Sequence, residues 1–373
     1  MDRYQKYAIL HDLPKKMVLL AGPRQAGKTT LAKSIAKEFK NSVYLTFDRL
    51  EDRKIILEES WLSSTELLIL DEIHKMPQWK NYLKGIYDTK PPDQKILVTG
   101  SARLEIFNQV GDSLAGRYFL HRLMPLSPAE CDKINISYTL EHFLERGGFP
   151  EPFLDKDPVD ANRWRLQYVD SLLRVDVLDF ENIHNLNAIR LVFELLRKRV
   201  GSPISYNSIA EDIGISPNTV KKYIQILEAL YIVFRLTPFS NNIARSLLKE
   251  PKIYFFDTGL VKGDEGAKFE NFVATCLLKH VYAKIDYQGE NYSLNYLHTK
   301  ERHEVDFALI HDDHIEKMIE VKLTNHSIGA SLRYFHEKYK IPAVQVVKEL
   351  KREKVDNGIE IMDGLHFLQT LYL

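Results

Sequence analysis

An eight-residue segment near the start of the chain carries glycines, a lysine and a threonine at a spacing suited to phosphate binding. It matches the pattern G-x-x-x-x-G-K-[ST], directly follows the apolar run Met17–Ala21 and opens a stretch with helical spacing. Glycines allow backbone N–H groups to surround a phosphate, and the start of a helix adds further donors. The segment therefore predicts a site for ATP, in which Lys28 reaches the β- and γ-phosphates and the Thr29 hydroxyl binds Mg²⁺. The residues expected around the phosphates are Gly22, Pro23, Arg24, Gln25, Ala26, Gly27, Lys28, Thr29 and Thr30.

Two adjacent carboxylates, Asp71 and Glu72, follow the apolar run Leu67–Leu70. The carboxyl ends of strands form the ligand-binding edge of an open α/β sheet, so these acids are expected beside the phosphates. Asp71 would hold Mg²⁺ through water, and Glu72 would be the general base for the attacking water. A pair of solvated acids after a strand is the alternative, and the phosphate-binding segment favours the catalytic interpretation.

Two further positions could act on the γ-phosphate. The run Ile96–Thr99 ends in polar residues, which makes Ser101 the first candidate for this contact and Thr99 the second. A simple turn after the strand is the alternative. Arg117, presented after Gly116, could serve as an arginine finger in a neighbouring copy of a homo-oligomer, or it could be a surface arginine.

Four polar residues in the last third of the chain could form a second site. Glu270 lies at the edge of an apolar helical stripe. Asp306 alternates with the apolar residues of one strand, while Glu320 and Lys322 share the polar face of the next. These side chains converge if the hairpin register permits. Any half-exposed strand can also read Glu-Val-Lys and the Asp-to-Glu spacing is loose, so the pattern alone favours an ordinary half-exposed strand over a catalytic site.

The elements that position these residues fall into four parts. Apolar runs alternate with helical patterns over residues 1–126, which predicts a layered α/β domain with a parallel sheet. Residues 127–185 are expected to form a helical connector, 186–250 a winged helix-turn-helix and 251–373 a second α/β domain. The strands predicted for the first domain are Met17–Ala21, Val43–Phe47, Leu67–Leu70, Ile96–Thr99 and Tyr118–Leu123.

The helix-turn-helix prediction depends on a glycine turn between two helical patterns. Gly214 interrupts the first pattern, and Ser216 and Pro217 are suited to cap and begin the second helix. The start of that helix is where base contacts are made in DNA-binding members of this class, so DNA is an expected partner. An architectural or protein-contact unit is the alternative. The residues expected to contact DNA bases or phosphates are Asn218, Thr219, Lys221, Lys222, Arg197, Lys198 and Arg199.

The bulk properties describe a globular chain without a global charge preference. The 373 residues include 51 basic and 51 acidic side chains, so no overall field attracts nucleic acid or an anionic membrane. The two cysteines have no metal-type spacing and suit a reducing compartment. There is no signal-peptide pattern and no apolar run approaching the roughly 18 residues of a membrane span. A cytoplasmic protein is the expectation.

Several short motifs occur together in this chain. They are Gly22–Thr30, Leu70–His74 with Trp79, Thr99–Ser101, Ala115–Arg117, Pro125–Ser127, Gly147–Glu151 and Lys252–Leu260. This set resembles the AAA-like bacterial and archaeal P-loop ATPases that are fused to a C-terminal domain of unknown function. The resemblance covers nearly the whole chain, implies a P-loop parallel-sheet ATPase fold, and assigns Ser101 to the sensor position.

The order of a helix glutamate, an aspartate and then Glu-x-Lys resembles the PD-(D/E)XK nuclease superfamily, which implies a restriction-endonuclease-like α/β domain. By this resemblance Asp306 and Glu320 would bind Mg²⁺, Lys322 would orient or activate water, and Glu270 would complete the site. Val305 stands where the superfamily usually has a proline.

Three functions are compatible with these patterns. The first is Mg²⁺-dependent ATP hydrolysis coupled to DNA binding and to DNA cleavage by the C-terminal domain. The second is an ATP-dependent regulator or assembly protein, whose C-terminal domain binds DNA or protein without cutting. The third is a small-molecule kinase, and Glu72 beside Asp71 argues for water rather than a metabolite as the acceptor.

Overall fold

The chain divides into two units, Met1–Met124 and Pro125–Leu373. The computed structural model describes residues 3–100, 114–176, 185–240, 250–299, 301, 303–324 and 327–373. None of the helices in these ranges is long and apolar enough to cross a membrane.

The apolar runs of the first unit form a parallel sheet. Its strands are β1 (Met17–Ala21), β2 (Ser42–Thr46), β3 (Leu67–Asp71), β4 (Lys95–Thr99) and β5 (Tyr118–Arg122). They lie in the order β2-β3-β4-β1-β5, and every neighbouring pair is parallel. The helices described in this unit are α1 (Gln5–Asp12), α2 (Lys28–Ala36), α3 (Leu50–Glu58) and α4 (Trp79–Thr89), with a 3₁₀ turn at Ile73–Lys75.

Helices cover both faces of this sheet. On one face α1 and α2 pack through Ile9 and Ile35, and on the other α3 and α4 pack through Ile56 and Leu83. The inner strands β1, β3 and β4 are buried on both faces and have no polar side to alternate with, which explains their continuous apolar runs. The predicted parallel sheet is confirmed, and each predicted strand boundary lies within one residue of the observed one.

The second unit begins with helices. They are α5 (Pro128–Lys133), α6 (Leu140–Arg146), α7 (Pro150–Leu154), α8 (Pro158–Ser171) and α9 (Leu186–Leu196), with a π-helical turn at Leu172–Asp176. Side-chain caps explain several of their starts. Ser127, Thr139 and Asp157 each accept a backbone N–H of the first helical turn.

Two short helices and a hairpin follow. Helix α10 (Tyr206–Ile213) ends at Gly214, whose φ of 76° is the left-handed conformation that glycine adopts readily. Helix α11 (Pro217–Ala229) begins with the Ser216 hydroxyl accepting the Thr219 N–H at 3.1 Å. Strands β6 (Val233–Leu236) and β7 (Lys252–Phe255) then pair antiparallel.

A buried ion pair joins two of the motifs that carried the family resemblance. The Asp257 carboxylate accepts a hydrogen bond from Arg165 Nε at 3.0 Å and from the Gly259 N–H at 3.0 Å. Arg165 also donates to the carbonyl of Arg146 at 2.9 Å, directly before the Gly147–Glu151 motif. These contacts fix β7 against the helices that precede it.

A mixed sheet of six strands forms the rest of the described second unit. Its strands are β8 (Tyr292–His298), β9 (Glu304–His311), β10 (His314–Lys322), β11 (Ala343–Val347), β12 (Lys354–Asp356) and β13 (Ile359–Asp363). The order is β12-β13-β11-β10-β9-β8, with parallel pairing of β11 to both β10 and β13. The accompanying helices are α12 (Glu265–Ala283), α13 (Ala330–Tyr339) and α14 (Gly364–Gln369), with a π-helical turn at Lys284–Gln288.

Candidate active sites

The loop between β1 and α2 has the backbone of a phosphate cradle. Gly22, Gln25 and Gly27 all have positive φ angles, of 143°, 59° and 96°. A side chain at Gly22 would place its Cβ only 2.3 Å from the carbonyl oxygen of Leu123, so only glycine fits there. Helix α2 begins at Lys28, which directs its free N–H groups toward the same loop.

Lys28 is held inside this loop. Its ammonium group donates to the carbonyls of Gly22 at 2.9 Å and Pro23 at 2.7 Å. Burial lowers the pKa of Lys28 to about 8, against the opposing effect of Glu72 and Asp71. The positive charge is therefore poised where phosphate oxygens would replace the loop carbonyls as its partners.

The Asp71 carboxylate ends β3 beside the start of α2. It accepts the Thr29 hydroxyl at 3.2 Å and also the hydroxyls of Tyr44 and Thr99. A threonine hydroxyl adjacent to a carboxylate is an all-oxygen pair of the kind that Mg²⁺ prefers. Thr29 and Asp71 therefore offer oxygen atoms that fit a Mg²⁺ ion.

Glu72 follows Asp71 in a strained backbone conformation. Its φ of 55° is unusual for a residue with a side chain, and its N–H donates to the Thr99 carbonyl at 2.9 Å. Its buried Oε2 lies 3.5 Å from Lys75 Nζ and accepts no hydrogen bond from any residue that the structure describes. Burial raises the pKa of Glu72, Lys75 opposes this, and Asp71 adds to it. A carboxylate of raised basicity suits proton abstraction from water.

Sequence reasoning missed two residues around this loop. Arg3 is buried and donates to the carbonyls of Ala26 at 2.8 Å and Met124 at 2.6 Å, so it ties the phosphate loop to the chain that leaves β5. Tyr44 donates to Asp71 from the neighbouring strand β2. Neither residue lies in a motif, and no local pattern distinguishes them from other arginines and tyrosines.

Of the two residues predicted to contact the γ-phosphate, the structure describes only one. Ser101 lies outside the described residues. Thr99, the second choice, is fully buried and donates its hydroxyl to Asp71, so it supports the carboxylate rather than facing a phosphate directly.

Arg117 lies at the opposite edge of the sheet from the phosphate loop. It precedes β5, and the parallel register pairs Met17 with Tyr118 and Ala21 with Arg122, so Arg117 is level with the start of β1. Its guanidinium makes a two-point contact with Asp88, at 2.8 Å from Nε and 3.0 Å from Nη2. Arg117 therefore does not contribute to the phosphate site of its own copy.

The hairpin of β9 and β10 brings the C-terminal acids together. The antiparallel register pairs Ile319 with Phe307, so the next pair sets Glu320 beside Asp306, and Asp306 Oδ2 accepts the Val321 N–H at 2.9 Å. Lys322 Nζ lies 2.7 Å from Glu320 Oε1. The Glu320 side chain is only 9% exposed, and within the described part of the chain its buried Oε2 has no hydrogen-bond partner.

Glu270 joins this cluster from α12. Its Oε1 accepts the hydroxyl of the buried Tyr254 at 2.7 Å. Burial, with the charge of Asp306, raises the pKa of Glu270 to about 8 and that of Glu320 to about 7. Burial is the larger cause of both pKa shifts, and the nearby charge of Asp306 adds to it.

Lys252, on β7, is a member of the cluster that sequence reasoning missed. Its ammonium lies 2.7 Å from Glu304 Oε1 and 3.7 Å from Asp306 Oδ1, and the residue is 1% exposed. Burial alone would lower the pKa of Lys252, but Asp306, Glu270 and Glu304 outweigh it and raise the pKa. The lysine is thus a buried cation in the middle of acids.

The donor set of this cluster fits a divalent cation only in part. Two carboxylates, Asp306 and Glu320, with a bare buried oxygen on Glu320, suit an ion that keeps several water ligands. Among the residues that the structure describes, however, no group of three or more His, Cys, Asp or Glu side chains is arranged to hold a metal.

The helix pair α10 and α11 presents part of the predicted DNA-contact set. Asn218, Lys221 and Lys222 are exposed at the start of α11. Two of the basic residues expected at phosphates have partners within the chain, one half-buried and one at the surface. Arg197 donates to the Leu260 carbonyl at 2.6 Å, and Arg199 pairs with Asp212 at 2.9 Å.

Comparison with known proteins agrees with the first of these sites. Residues 14–131 match the family described as "AAA domain". This match and the loop geometry together decide the class. The first unit carries an AAA-like P-loop ATPase domain. C-terminal to this AAA-like domain in the sequence, residues 137–264 and 265–365 match two families described as domains of unknown function, DUF8612 and DUF4143.

Curated relatives are similar to this chain in sequence, and their names assign no activity to them. An uncharacterized protein of Mycobacterium tuberculosis is 30% identical over 260 residues, which are 68% of this chain and 56% of that protein. An uncharacterized protein of Methanocaldococcus jannaschii is 25% identical over 333 residues, or 80% of this chain and 73% of the relative. The match spans little more than half the length of the mycobacterial relative.

Solved structures resemble the chain more distantly. The Walker-type ATPase of Pyrococcus abyssi has a TM-score of 0.44 at 13% identity, covering 69% of this chain and 93% of that one. The Orc1 protein of Aeropyrum pernix, solved in complex with DNA, has a TM-score of 0.34 at 14% identity, covering 73% of this chain and 94% of that one.

Proposed function

We propose that the protein hydrolyses ATP with Mg²⁺ at the phosphate loop of its AAA-like domain. The observation that carries this proposal is the close approach of the Thr29 hydroxyl to the Asp71 carboxylate, 3.2 Å apart, directly beside Lys28 and Glu72. A phosphate cradle, an oxygen pair for the ion and a basic carboxylate therefore meet at one edge of the sheet.

Each residue has a separate task in this reaction. Backbone N–H groups of the loop and the Lys28 ammonium would bind the β- and γ-phosphates and offset the charge of the transition state. Thr29 and Asp71 would hold Mg²⁺, which neutralises phosphate charge when bound. Glu72 would orient the attacking water and accept its proton, a role that its raised pKa suits.

The test is ATP turnover and nucleotide binding by the full chain. Lys28→Ala is expected to abolish both, and Glu72→Gln is expected to retain ATP while slowing hydrolysis about 100-fold or more. Lys37→Ala, an exposed lysine just beyond the same helix, is the matched control and should behave as wild type. Normal turnover by Lys28→Ala would refute the phosphate-loop assignment.

The proposal extends to a homo-oligomer in which Arg117 acts on the nucleotide of a neighbouring copy. Its place at the far edge of the sheet supports action between copies rather than within one. Arg117→Ala should lower ATP turnover without lowering ATP binding. A turnover rate that stays proportional to protein concentration down to high dilution would exclude a finger from another copy.

A second proposed activity is metal-dependent cleavage of DNA at the C-terminal cluster, in a domain of PD-(D/E)XK type. The convergence of Asp306, Glu320 and Lys322, with the unsatisfied oxygen of Glu320, supports it. Asp306 and Glu320 would hold a divalent cation that stabilises charge on the phosphodiester, and Lys322 would orient water. The helix pair α10–α11 and its hairpin would bind the duplex in the manner of a winged helix.

Cleavage of single-stranded and duplex DNA with Mg²⁺ or Mn²⁺, with and without ATP, tests this activity. Wild type should cut, and Asp306→Ala and Glu320→Ala should not. Glu316→Ala is the matched control, because Glu316 is an exposed glutamate four residues earlier on the same strand. If wild type cuts no substrate while its ATPase is intact, the alternative stands, namely an ATP-dependent regulator that binds DNA or protein without cutting.

A further inference from the structure

Lys252 occupies an unusual position for a charged side chain. It belongs to the β6–β7 hairpin, whose strand β7 pairs with β6 and lies within the DUF8612 match, yet its ammonium reaches the acids of the C-terminal sheet. It is 1% exposed, and it lies 5.3 Å from the centre of the Tyr296 ring as well as 2.7 Å from Glu304. A lysine so enclosed persists only where carboxylates compensate its lost hydration.

The cluster is organised around ammonium groups. Lys252 faces Glu304 and Asp306, Lys322 faces Glu320, and the fourth acid, Glu270, receives a neutral hydroxyl from Tyr254. Asp306 has both oxygens engaged, since Oδ1 faces Lys252 and Oδ2 accepts the Val321 N–H. This arrangement agrees with the finding that no three acids of the described residues form a metal-holding group.

We propose that Lys252 is the internal counter-ion of this cluster and that it sets how weakly Asp306 binds a divalent cation. The inference rests on the proposed metal site. The ammonium and a divalent cation bound to Asp306 would lie within a few ångströms of each other in a poorly hydrated site, where like charges repel strongly. Binding the metal must therefore overcome the charge of Lys252 or displace its side chain from Asp306.

A role for Lys252 as the water-activating group fits the structure less well. Its ammonium is enclosed by Glu304, Asp306 and the Tyr296 ring, whereas the Lys322 side chain is 35% exposed beside the bare oxygen of Glu320. Lys322 can meet a substrate from solvent, and Lys252 cannot do so in this arrangement. Lys252 acts on the site through Asp306 and is a positioning residue.

The test is Mn²⁺ affinity, measured by electron paramagnetic resonance and by the Mn²⁺-induced rise in melting temperature, without DNA or nucleotide. The full chain should carry Asp71→Asn throughout, so that the ATPase site does not contribute bound metal. Lys252→Met is expected to bind Mn²⁺ at least tenfold more tightly than the parent and to melt at a lower temperature without metal. Lys252→Arg keeps the charge and should bind as the parent does.

Two further variants distinguish a failure of the counter-ion proposal from a failure of the proposed metal site. Lys317→Met is the matched control, because Lys317 lies on β10, in the sheet that contains Asp306, and pairs with Glu360 at the surface. Lys252→Gln also removes the charge but leaves an amide that can donate to Glu304, so it should likewise bind Mn²⁺ more tightly than the parent; this variant decides the question if Lys252→Met does not fold. Equal or weaker Mn²⁺ binding by Lys252→Met, still abolished by Asp306→Ala, would overturn the counter-ion role and leave the metal site standing. No Mn²⁺ binding by either protein would overturn both.

Discussion

The ATPase site and the C-terminal cluster both carry carboxylates on strands of a sheet, but different groups contact these carboxylates. Asp71 is surrounded by three neutral hydroxyls, from Thr29, Tyr44 and Thr99. Asp306 instead faces the ammonium of Lys252. Neutral donors orient a carboxylate and leave its charge uncompensated, whereas an ammonium cancels it. The first arrangement is therefore prepared for an added cation, and the second already contains one.

The largest expected difference between the sites appears in Asp71→Asn. The three hydroxyls can still bond to an amide, so the fold should keep its stability, while the loss of charge at the Mg²⁺ position should lower ATP turnover about 100-fold or more. Steady-state turnover and the melting temperature together check this. A large fall in melting temperature would show that the charge of Asp71 has a structural role and would weaken the contrast.

Asp306→Asn, in contrast to Asp71→Asn, should lower the stability of the fold. An asparagine offers no charge to the buried Lys252, so the metal-free C-terminal sheet should lose about 1.5–3 kcal/mol of stability. Amide hydrogen exchange over β9 and β10 measures this locally, separately from the ATPase domain. Exchange rates unchanged from wild type would mean that Glu304 alone suffices as the partner of Lys252. Asp312→Asn in the exposed hairpin turn is the control.

The pH dependence of ATP binding should report on Lys28. Its pKa is lowered to about 8 without nucleotide, and phosphates bind the protonated form, so binding above pH 8 requires uptake of one proton. Affinity should therefore be flat just below pH 8 and fall about tenfold per pH unit above it. Calorimetric titration in buffers of different ionisation enthalpy measures the uptake. Lys28→Arg, which stays charged, should remove the slope if it binds ATP, and a flat wild-type profile would contradict the prediction.

A smaller effect is expected from Arg3→Met. The substitution removes two charge-assisted hydrogen bonds that hold the Ala26 and Met124 carbonyls, which should loosen the loop and weaken ATP binding about five- to tenfold, or ~1 kcal/mol. Fluorescent-nucleotide titration checks the change, with Lys6→Met on α1, which removes an ion pair with Glu38 at 2.8 Å, as the control. Equal affinities would show that the loop holds its shape without Arg3.

Much of the ATPase domain could be predicted because short stretches of its sequence determine its strands and its phosphate loop. Strand β1 was predicted residue for residue, since a run of five buried apolar residues is unambiguous in a sheet covered on both faces. The short strands β12 and β13 and the helix α14 were not predicted, because residues 354–369 mix polar and apolar positions without a clear period.

The missed site residues share a physical reason. Lys252 precedes Asp306 by more than fifty positions, and Arg3 precedes Met124 by more than a hundred, so their contacts arise from tertiary packing alone. Arg197 shows the converse, because a basic residue in a promising stretch is needed to hold the Leu260 carbonyl. The placement of Arg117 was available from the sequence, since a residue before a parallel strand lies opposite the ligand-binding edge.

The close packing of Gly22 on the Leu123 carbonyl has a mechanical consequence. Leu123 packs against Gly22 of the nucleotide loop, and the first unit ends at the next residue, Met124. Arg3 donates hydrogen bonds to the carbonyls of both Met124 and Ala26, so it links the end of this unit to the loop. A change in the backbone of Leu123 would therefore directly alter the space available to Gly22. The covalent connection between the two units therefore starts at Met124, a residue whose carbonyl is hydrogen-bonded to the same arginine that holds the phosphate loop.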